Sequence, residues 1–204
     1  MSGRCGVNIN TRSYWDMRFA SFDWDRCNGI AQSDYFAGLI MDHLPQRVIN
    51  DIRDNMLSAV DFGCAKGQLC ARLKDVFPDN QVVGYDFSNE AVMQAQAMYP
   101  HLVFTNDLKG LEFDCLFSSN TLEHITDWMD QLDKFTQIAR RYFILLVPHR
   151  EFRLVPEHVA SFDEDSFPDK LNGFTMIHST VINTCGTGYW NGEQRLVVYA
   201  KGVM

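Results

Sequence analysis

Two hydrophobic rhythms divide this chain. Up to about residue 54 the apolar positions recur at helical spacing, with Trp15, Phe19 and Phe22 on one stripe. Tyr35, Phe36, Leu39, Ile40 and His43 form a second stripe. Ser33 or Asp34 is placed to cap that second helix, and Pro45 to stop it. From Leu57 onward, short apolar runs alternate with helical stretches. Strands are predicted at 57–62, 81–85, 102–105, 113–118 and 141–147, and helices at 69–76, 90–99 and 128–139. Ser88 or Asn89 is the expected cap of the middle helix. Such alternation predicts a parallel sheet covered by helices on both faces.

The tail departs from that pattern. Segments 174–183 and 195–201 read as strands, but the stretch between them is short and polar. A parallel crossover needs about a dozen residues, usually helical, so this pair is predicted to be antiparallel. No repeat, low-complexity tract or linker interrupts the sequence, and residues 1–204 read as one domain: a helical cap at 1–55 and an α/β core at 56–204.

Composition narrows the field. The longest apolar run, near 142–147, is strand-length and far below a membrane span. No apolar run follows Met1-Ser2-Gly3-Arg4, so no secretory signal is expected and cytoplasmic residence is the default. A net charge of −8 without any block of Lys or Arg argues against a nucleic-acid partner. Cys5, Cys27, Cys64, Cys70, Cys115 and Cys185 form no C-x-x-C pair, which points to buried, reduced thiols rather than a zinc cage or a disulfide framework.

The chemistry-bearing segment is Asp61-Phe62-Gly63-Cys64-Ala65-Lys66-Gly67, between the first predicted core strand and its helix. Glycines there let backbone approach a ligand closely. A dinucleotide fingerprint would place glycine at 63, 65 and 68, where the chain has Gly63, Ala65 and Gln68. No G-x-x-x-x-G-K-[ST] phosphate loop is present. Nicotinamide and nucleoside-triphosphate chemistry therefore lose support. Asp86 closes the second strand about twenty residues later, where a carboxylate can accept hydrogen bonds from both ribose hydroxyls.

The run from Asp61 to Gly67 resembles the first motif of class I S-adenosylmethionine-dependent methyltransferases. Tyr85-Asp86-Phe87-Ser88 resembles their second motif, Asn106-Asp107-Leu108 the segment after their third strand, and Ser119-Asn120-Thr121-Leu122-Glu123-His124-Ile125 the segment after their fourth. The resemblance covers most of the chain. It implies a Rossmann-like α/β fold with a mostly parallel seven-stranded sheet, an antiparallel C-terminal hairpin, helices on both faces, and an acceptor-side insertion near 148–172.

It also implies S-adenosylmethionine as cofactor. Gly63, Cys64 and Gly67 would lie against its amino-acid end, with Asp61 holding the turn or the ammonium. Asp86 would take the ribose, Phe87 would flank adenine, and Asp107 with Leu108 would meet its amino edge. Ser119 and Asn120 would lie near the sulfonium. Simpler roles stand beside these, since Asp61 and Asp107 also suit turns and Phe87 suits a core. Ala65 replaces the motif's central glycine, which is tolerated if its φ is negative.

A narrower likeness, to methyltransferases of bacterial surface-glycan and lipopolysaccharide synthesis, rests on Tyr14-Trp15-Asp16-Met17-Arg18-Phe19, on Val147-Pro148-His149-Arg150-Glu151, on Pro156-Glu157-His158-Val159 and on Tyr189-Trp190-Asn191-Gly192-Glu193-Gln194. It implies O-methylation of a sugar or glycan hydroxyl. The other readings are a different small acceptor (a quinone precursor, polyketide or amine) and a non-catalytic partner subunit with the cofactor fold. Gly63, Gly67 and Asp86 speak against the last.

A hydroxyl nucleophile benefits from a positioned base, and histidine titrates in the useful range. His158 is the first candidate and His124 the second. His149, Arg150, Arg153 and Glu157 are candidates for binding or orienting the acceptor, arginine suiting phosphate or carboxylate. Trp15 and Phe19 fit a lid over the cofactor or, more simply, a helix packed on the sheet. No acidic cluster at magnesium-ligand spacing is visible in the linear sequence, so no metal is expected.

Overall fold

Successive residues of the central strands point into two different cores. Ala59, Val82, Cys115, Phe117, Ile144 and Leu146 share one cluster, whereas their neighbours Val60, Val83, Leu116, Phe143, Leu145 and Val147 share another. The period-two alternation of a pleated strand puts them on opposite faces. Because both faces are covered, the strands read as unbroken apolar runs rather than as alternating ones. Each fully buried large side chain contributes about 1.5–3 kcal/mol.

The computed structural model describes residues 9–152 and 154–202. Four helices lead the chain: α1 (Arg12–Ala20), α2 (Asp23–Arg26), α3 (Gly29–His43) and α4 (Gln46–Asp54). The core follows as β1 (Ala59–Phe62), α5 (Gln68–Val76), β2 (Val82–Tyr85), α6 (Asn89–Met98), β3 (Val103–Thr105) and β4 (Phe113–Ser119). A 3₁₀ turn (Leu122–His124), α7 (Trp128–Ile138) and β5 (Ala139–His149) come next. The chain ends with β6 (Lys170–Leu171), β7 (Phe174–Asn183) and β8 (Glu193–Lys201).

The strands form a single sheet in the order β3-β2-β1-β4-β5-β8-β7-β6. β1 to β5 run parallel; β8 is antiparallel to β5 and to β7, as the short 184–192 connection requires. The sheet has eight strands, not the expected seven. The extra one is β6, two residues that pair with the start of β7 across the left-handed residues Asn172 and Gly173. Helices α3, α4 and α5 contribute Ile40, Ile52 and Leu73 to the first core cluster, and α7 contributes Leu132 and Phe135 to the second.

The expected cap of the second N-terminal helix is corrected. α3 starts at Gly29, so Ser33 and Asp34 lie inside it. Asn28 turns the chain through left-handed backbone (φ 66°), and Gly29 lies against Trp24, where a Cβ would come within 2.4 Å of the indole. A side chain at 29 would meet that ring, so the break before α3 falls on a glycine. Ser88 does cap α6, accepting from the Ala91 amide at 3.1 Å while donating to Asp16 of α1 at 2.6 Å. Cys64, Cys70 and Cys115 are buried free thiols as expected, but Cys27 and Cys185 are exposed. Cys5 and Arg153 lie outside the described residues. Among the described residues, no helix is long and apolar enough to cross a membrane.

Candidate active site

The turn after β1 and the end of β2 form one hydrogen-bonded unit. The amides of Gly63 and Cys64 both donate to the Tyr85 carbonyl, at 2.8 and 2.9 Å. Asp86 closes the unit, its Oδ2 accepting the Ala65 amide at 3.0 Å and its Oδ1 the Ser88 amide at 2.9 Å. Ala65 has φ 46°, not the negative value expected of it. The bond to Asp86 holds alanine in a region that L-residues enter at a cost of about 1–2 kcal/mol.

Gly63 also needs left-handed backbone (φ 82°), and a Cβ there would lie 2.3 Å from Thr121 Oγ1. Gly67 has a different role from the expected one. It lines none of the cavities described below; its missing side chain makes room for Phe104 and Tyr99, and it starts α5 with φ 89°. Lys66, between them, is buried and reaches Asp25 of α2 at 2.6 and 2.8 Å, fastening the helical cap to the turn.

Two cavities of about 260 Å³ each adjoin at this turn. Trp15, Trp24, Gly63, Ala65, Asn120 and His124 form walls of both. Asp61, Cys64, Ser119, Glu123, Glu157 and His158 belong to the first; Phe62, Tyr85, Asp86, Phe87 and Ile125 belong to the second. The fold thus brings together most of the residues singled out from the sequence. Asp107 and Leu108 are exceptions. Asp107 is exposed and caps its own turn through the Lys109 amide at 2.9 Å, and Leu108 packs against the second core cluster. Trp15 is buried against Phe19, Trp24 and His124, so it packs α1 and walls the cavities at once.

His149 and Arg150 line a third cavity of about 580 Å³, which meets the first at Val155 and Trp190. Arg150 is paired with Glu164 (Nε to Oε2 3.0 Å), and His149 Nε2 lies 3.4 Å from the same carboxylate. Glu157 is a hub. Its carboxylate accepts from Tyr14 Oη at 2.6 Å and from Arg18, while its carbonyl meets Asn10 Nδ2 at 2.7 Å and His124 Nδ1 at 3.0 Å.

Burial shapes the electrostatics. Desolvation pushes Asp61 up to about 7, partly opposed by the Cys70 thiol 3.6 Å away, and pushes Asp86 up to about 6 against its two backbone amide bonds. Burial, with His158 as a nearby like charge, lowers His124 to about 4, so it is neutral at neutral pH. His158 Nδ1 lies 2.6 Å from Glu151 Oε2, and the ring stacks on Trp190.

Glu123 was not anticipated as a site residue. It is fully buried, with neither carboxylate oxygen partnered, and burial pushes its pKa up to about 8. One potential ligand atom from each of Glu123, His124 and His158 lies within 4.8 Å of the others. The linear spacing, 123-124 and then 158, conceals that grouping.

Comparisons with known proteins agree with this architecture. Residues 60–141 match a family described as a methyltransferase domain. The magnesium protoporphyrin IX methyltransferase of Synechocystis PCC 6803, solved with bound SAH, superposes with TM-score 0.70 at 18% identity, over 94% of this chain and 99% of that one. An S-adenosylmethionine-dependent methyltransferase from Clostridium acetobutylicum superposes with TM-score 0.56 at 13% identity, over 83% and 97%. The chain is therefore a protein of the Rossmann-like methyltransferase fold. Among curated proteins, trans-aconitate 2-methyltransferase of Escherichia coli is 23% identical over 125 residues, 57% of this chain. The match spans 50% of that relative's length.

Proposed function

We propose that this protein is an S-adenosylmethionine-dependent methyltransferase whose acceptor is a small molecule or glycan end offering a hydroxyl. One observation carries the reading: the Asp86 carboxylate is bonded to the Gly63–Ala65 turn and shares the second cavity with it, while the turn continues into the first. The residues present suit the cofactor chemically. Asp86 offers a carboxylate to a ribose diol, Phe87 an aromatic face to a purine, and Asp61 a buried carboxylate to an ammonium group. The family match over residues 60–141 supports the reaction class.

When bound, the cofactor would supply an electrophilic methyl carbon to the acceptor oxygen, with its sulfur as the leaving group. The protein's part is alignment and exclusion of water. In this reading the second cavity takes the nucleoside and the first takes the amino-acid end together with the acceptor. Asn120, Ala65 and Gly63 stand at the junction. His158 and His124, the candidate bases, both face the first cavity, and the activating role at the acceptor oxygen falls to this pair. His158 is the leading member because Glu151 fixes its ring. Glu157 orients the acceptor side through its ties to α1, while His149 and Arg150, in the third cavity, suit a longer or anionic acceptor.

A sugar hydroxyl is the acceptor favoured by the sequence motifs around Trp15, His149, Glu157 and Trp190, several of which meet at the first cavity. Calorimetric titration with S-adenosylmethionine, followed by incubation of the labelled cofactor with nucleotide sugars, glycans and small phenols, tests both halves of the proposal. No cofactor binding would overturn the reaction class. Labelling of phenols but not of nucleotide sugars or glycans would overturn the sugar as acceptor.

A further inference from the structure

The acceptor end of the first cavity holds three side chains with unspent ligating capacity. Glu123 is fully buried, and neither of its oxygens has a partner. A buried, unpaired carboxylate is costly unless a proton or a cation joins it. Beside it, the Nδ1 atoms of His124 and His158 are both engaged: the first faces the Glu157 carbonyl at 3.0 Å, the second the Glu151 carboxylate at 2.6 Å. An Nδ1 facing an acceptor carries the proton, which leaves the Nε2 lone pair free. Metal-bound imidazoles are oriented in this way, with a carbonyl or carboxylate behind the ligating ring.

The geometry allows one ion to reach all three. A ligand atom from each residue lies within 4.8 Å of the others, and the two imidazoles stand 4.9 Å apart at 81°. We propose that Glu123, His124 and His158 bind a single divalent transition-metal cation at the acceptor end of the cavity. Two imidazoles and one carboxylate suit Zn²⁺, Mn²⁺ or Fe²⁺ better than the all-oxygen preferences of Ca²⁺. Arg18 shares this cavity, but its charge is taken up by Glu157 and Asp23.

Three protein ligands leave coordination positions open. A hydroxyl taking one of them would lose its proton to solvent more readily, because the ion stabilises the oxyanion. His158 and His124 then activate the acceptor by holding the ion. This use of the site rests on the methyl-transfer reading; the binding of the ion does not.

Cobalt is the probe. Protein freed of metal with a chelator and desalted is titrated with Co²⁺, followed by visible absorption and calorimetry. The expected result is one ion per chain with a d–d spectrum and no thiolate charge-transfer band. Glu123→Gln and His124→Ala should abolish the signal, and Glu151→Gln, behind His158, should weaken binding about 10- to 100-fold. Glu151→Gln also serves if the buried variants do not fold. Absence of binding, a thiolate band, or affinity unchanged in all three variants would overturn the proposal. S-adenosylmethionine titrated into the metal-free protein keeps the two readings apart: nucleoside binding without cobalt binding removes the ion site alone, and cobalt binding without nucleoside binding removes the methyl-transfer reading alone.

Discussion

Asp86 and Ala65 stand 21 positions apart in the chain and meet through a single 3.0 Å hydrogen bond that makes the end of one strand the support of another's turn. The same carboxylate accepts the Ser88 amide, so its orientation is fixed from both sides before any ligand arrives. Preorganisation of this kind lowers the entropic cost of binding.

Asp86→Ala should therefore affect binding and turn together. Calorimetry should show S-adenosylmethionine affinity falling about 10- to 100-fold, the equivalent of one or two lost hydrogen bonds to a charged group. Asp86→Asn keeps the shape but presents an amide N–H to one of the two backbone donors, and should lose nearly as much. Unchanged affinity in both variants would remove Asp86 from the nucleoside site.

Gly63 is constrained twice, by its φ of 82° and by Thr121 packed over it. Gly63→Ala should lower the unfolding free energy by about 2–3 kcal/mol and abolish cofactor binding. Adding Thr121→Ala removes the clash but not the backbone strain, so the double variant should recover part of the stability. Recovery of full stability on denaturant unfolding would show that strain at this position is negligible.

These two residues also show how far the sequence could be read. The glycine turn and Asp86 are local signals, each at a predictable place beside a strand end, and the alternation of strands and helices gave the layering. The short connection before β8 showed its direction. What stayed hidden were tertiary relationships. Gly67 is set by Phe104 and Tyr99, more than thirty residues further on, and β6 is only two residues long. Glu123 looks like any surface glutamate in a polar stretch until the fold buries it beside a histidine 35 positions away, His158. Asp107 went the other way. Its motif position implied a ligand, but its carboxylate caps a turn at the surface.

Asp61 trades stability for binding. Its folded pKa is raised to about 7 from an ordinary 3.8, chiefly by burial. The folded state then holds more protons than the unfolded state between those values, so stability falls as pH rises through that window and levels off above it. Asp61→Asn cannot ionise. Its unfolding free energy relative to wild type should rise by on the order of 2–4 kcal/mol between pH 4 and pH 8, while its affinity for S-adenosylmethionine falls at pH 8. His124, lowered to about 4, contributes an opposite slope, with stability lost as pH falls from about 6.5 towards 4, but it is common to both proteins and cancels. A flat difference across the range would mean that Asp61 is ionised throughout.

His158 should separate chemistry from cofactor binding. It is absent from the nucleoside cavity and is assigned to the acceptor rather than to the cofactor's amino-acid end, so His158→Ala should leave S-adenosylmethionine affinity within about threefold of wild type while slowing methyl transfer about 10²- to 10⁴-fold. Single-turnover rates with preloaded cofactor measure the second effect directly. An equal loss in affinity and rate would instead make His158 a packing residue beneath Trp190.

Glu157 clasps the insertion onto α1, and its removal tests whether that helix closes the site. Its carboxylate receives Tyr14 and Arg18; burial pushes its pKa up, but the Tyr14 hydrogen bond and the Arg18 charge hold it below the ordinary range. Its carbonyl, bonded to Asn10 and His124, is unaffected by a side-chain change. Glu157→Gln keeps an acceptor oxygen but removes its charge, so it should loosen α1 without disturbing the His124 ring, lowering stability by about 1–3 kcal/mol as two charge-assisted hydrogen bonds become neutral ones. Trp15 rides on α1 and walls both cavities, so its fluorescence should become more accessible to a soluble quencher. KM for the acceptor should rise several-fold, with a smaller change in kcat, because alignment and water exclusion suffer before the activating groups do. Tyr14→Phe should produce the same pattern more weakly. A variant with unchanged quenching and unchanged KM would show that α1 is held by its aromatic contacts to Trp24 and His124 and by the Asp16–Ser88 bond, with the Glu157 clasp contributing nothing to closure.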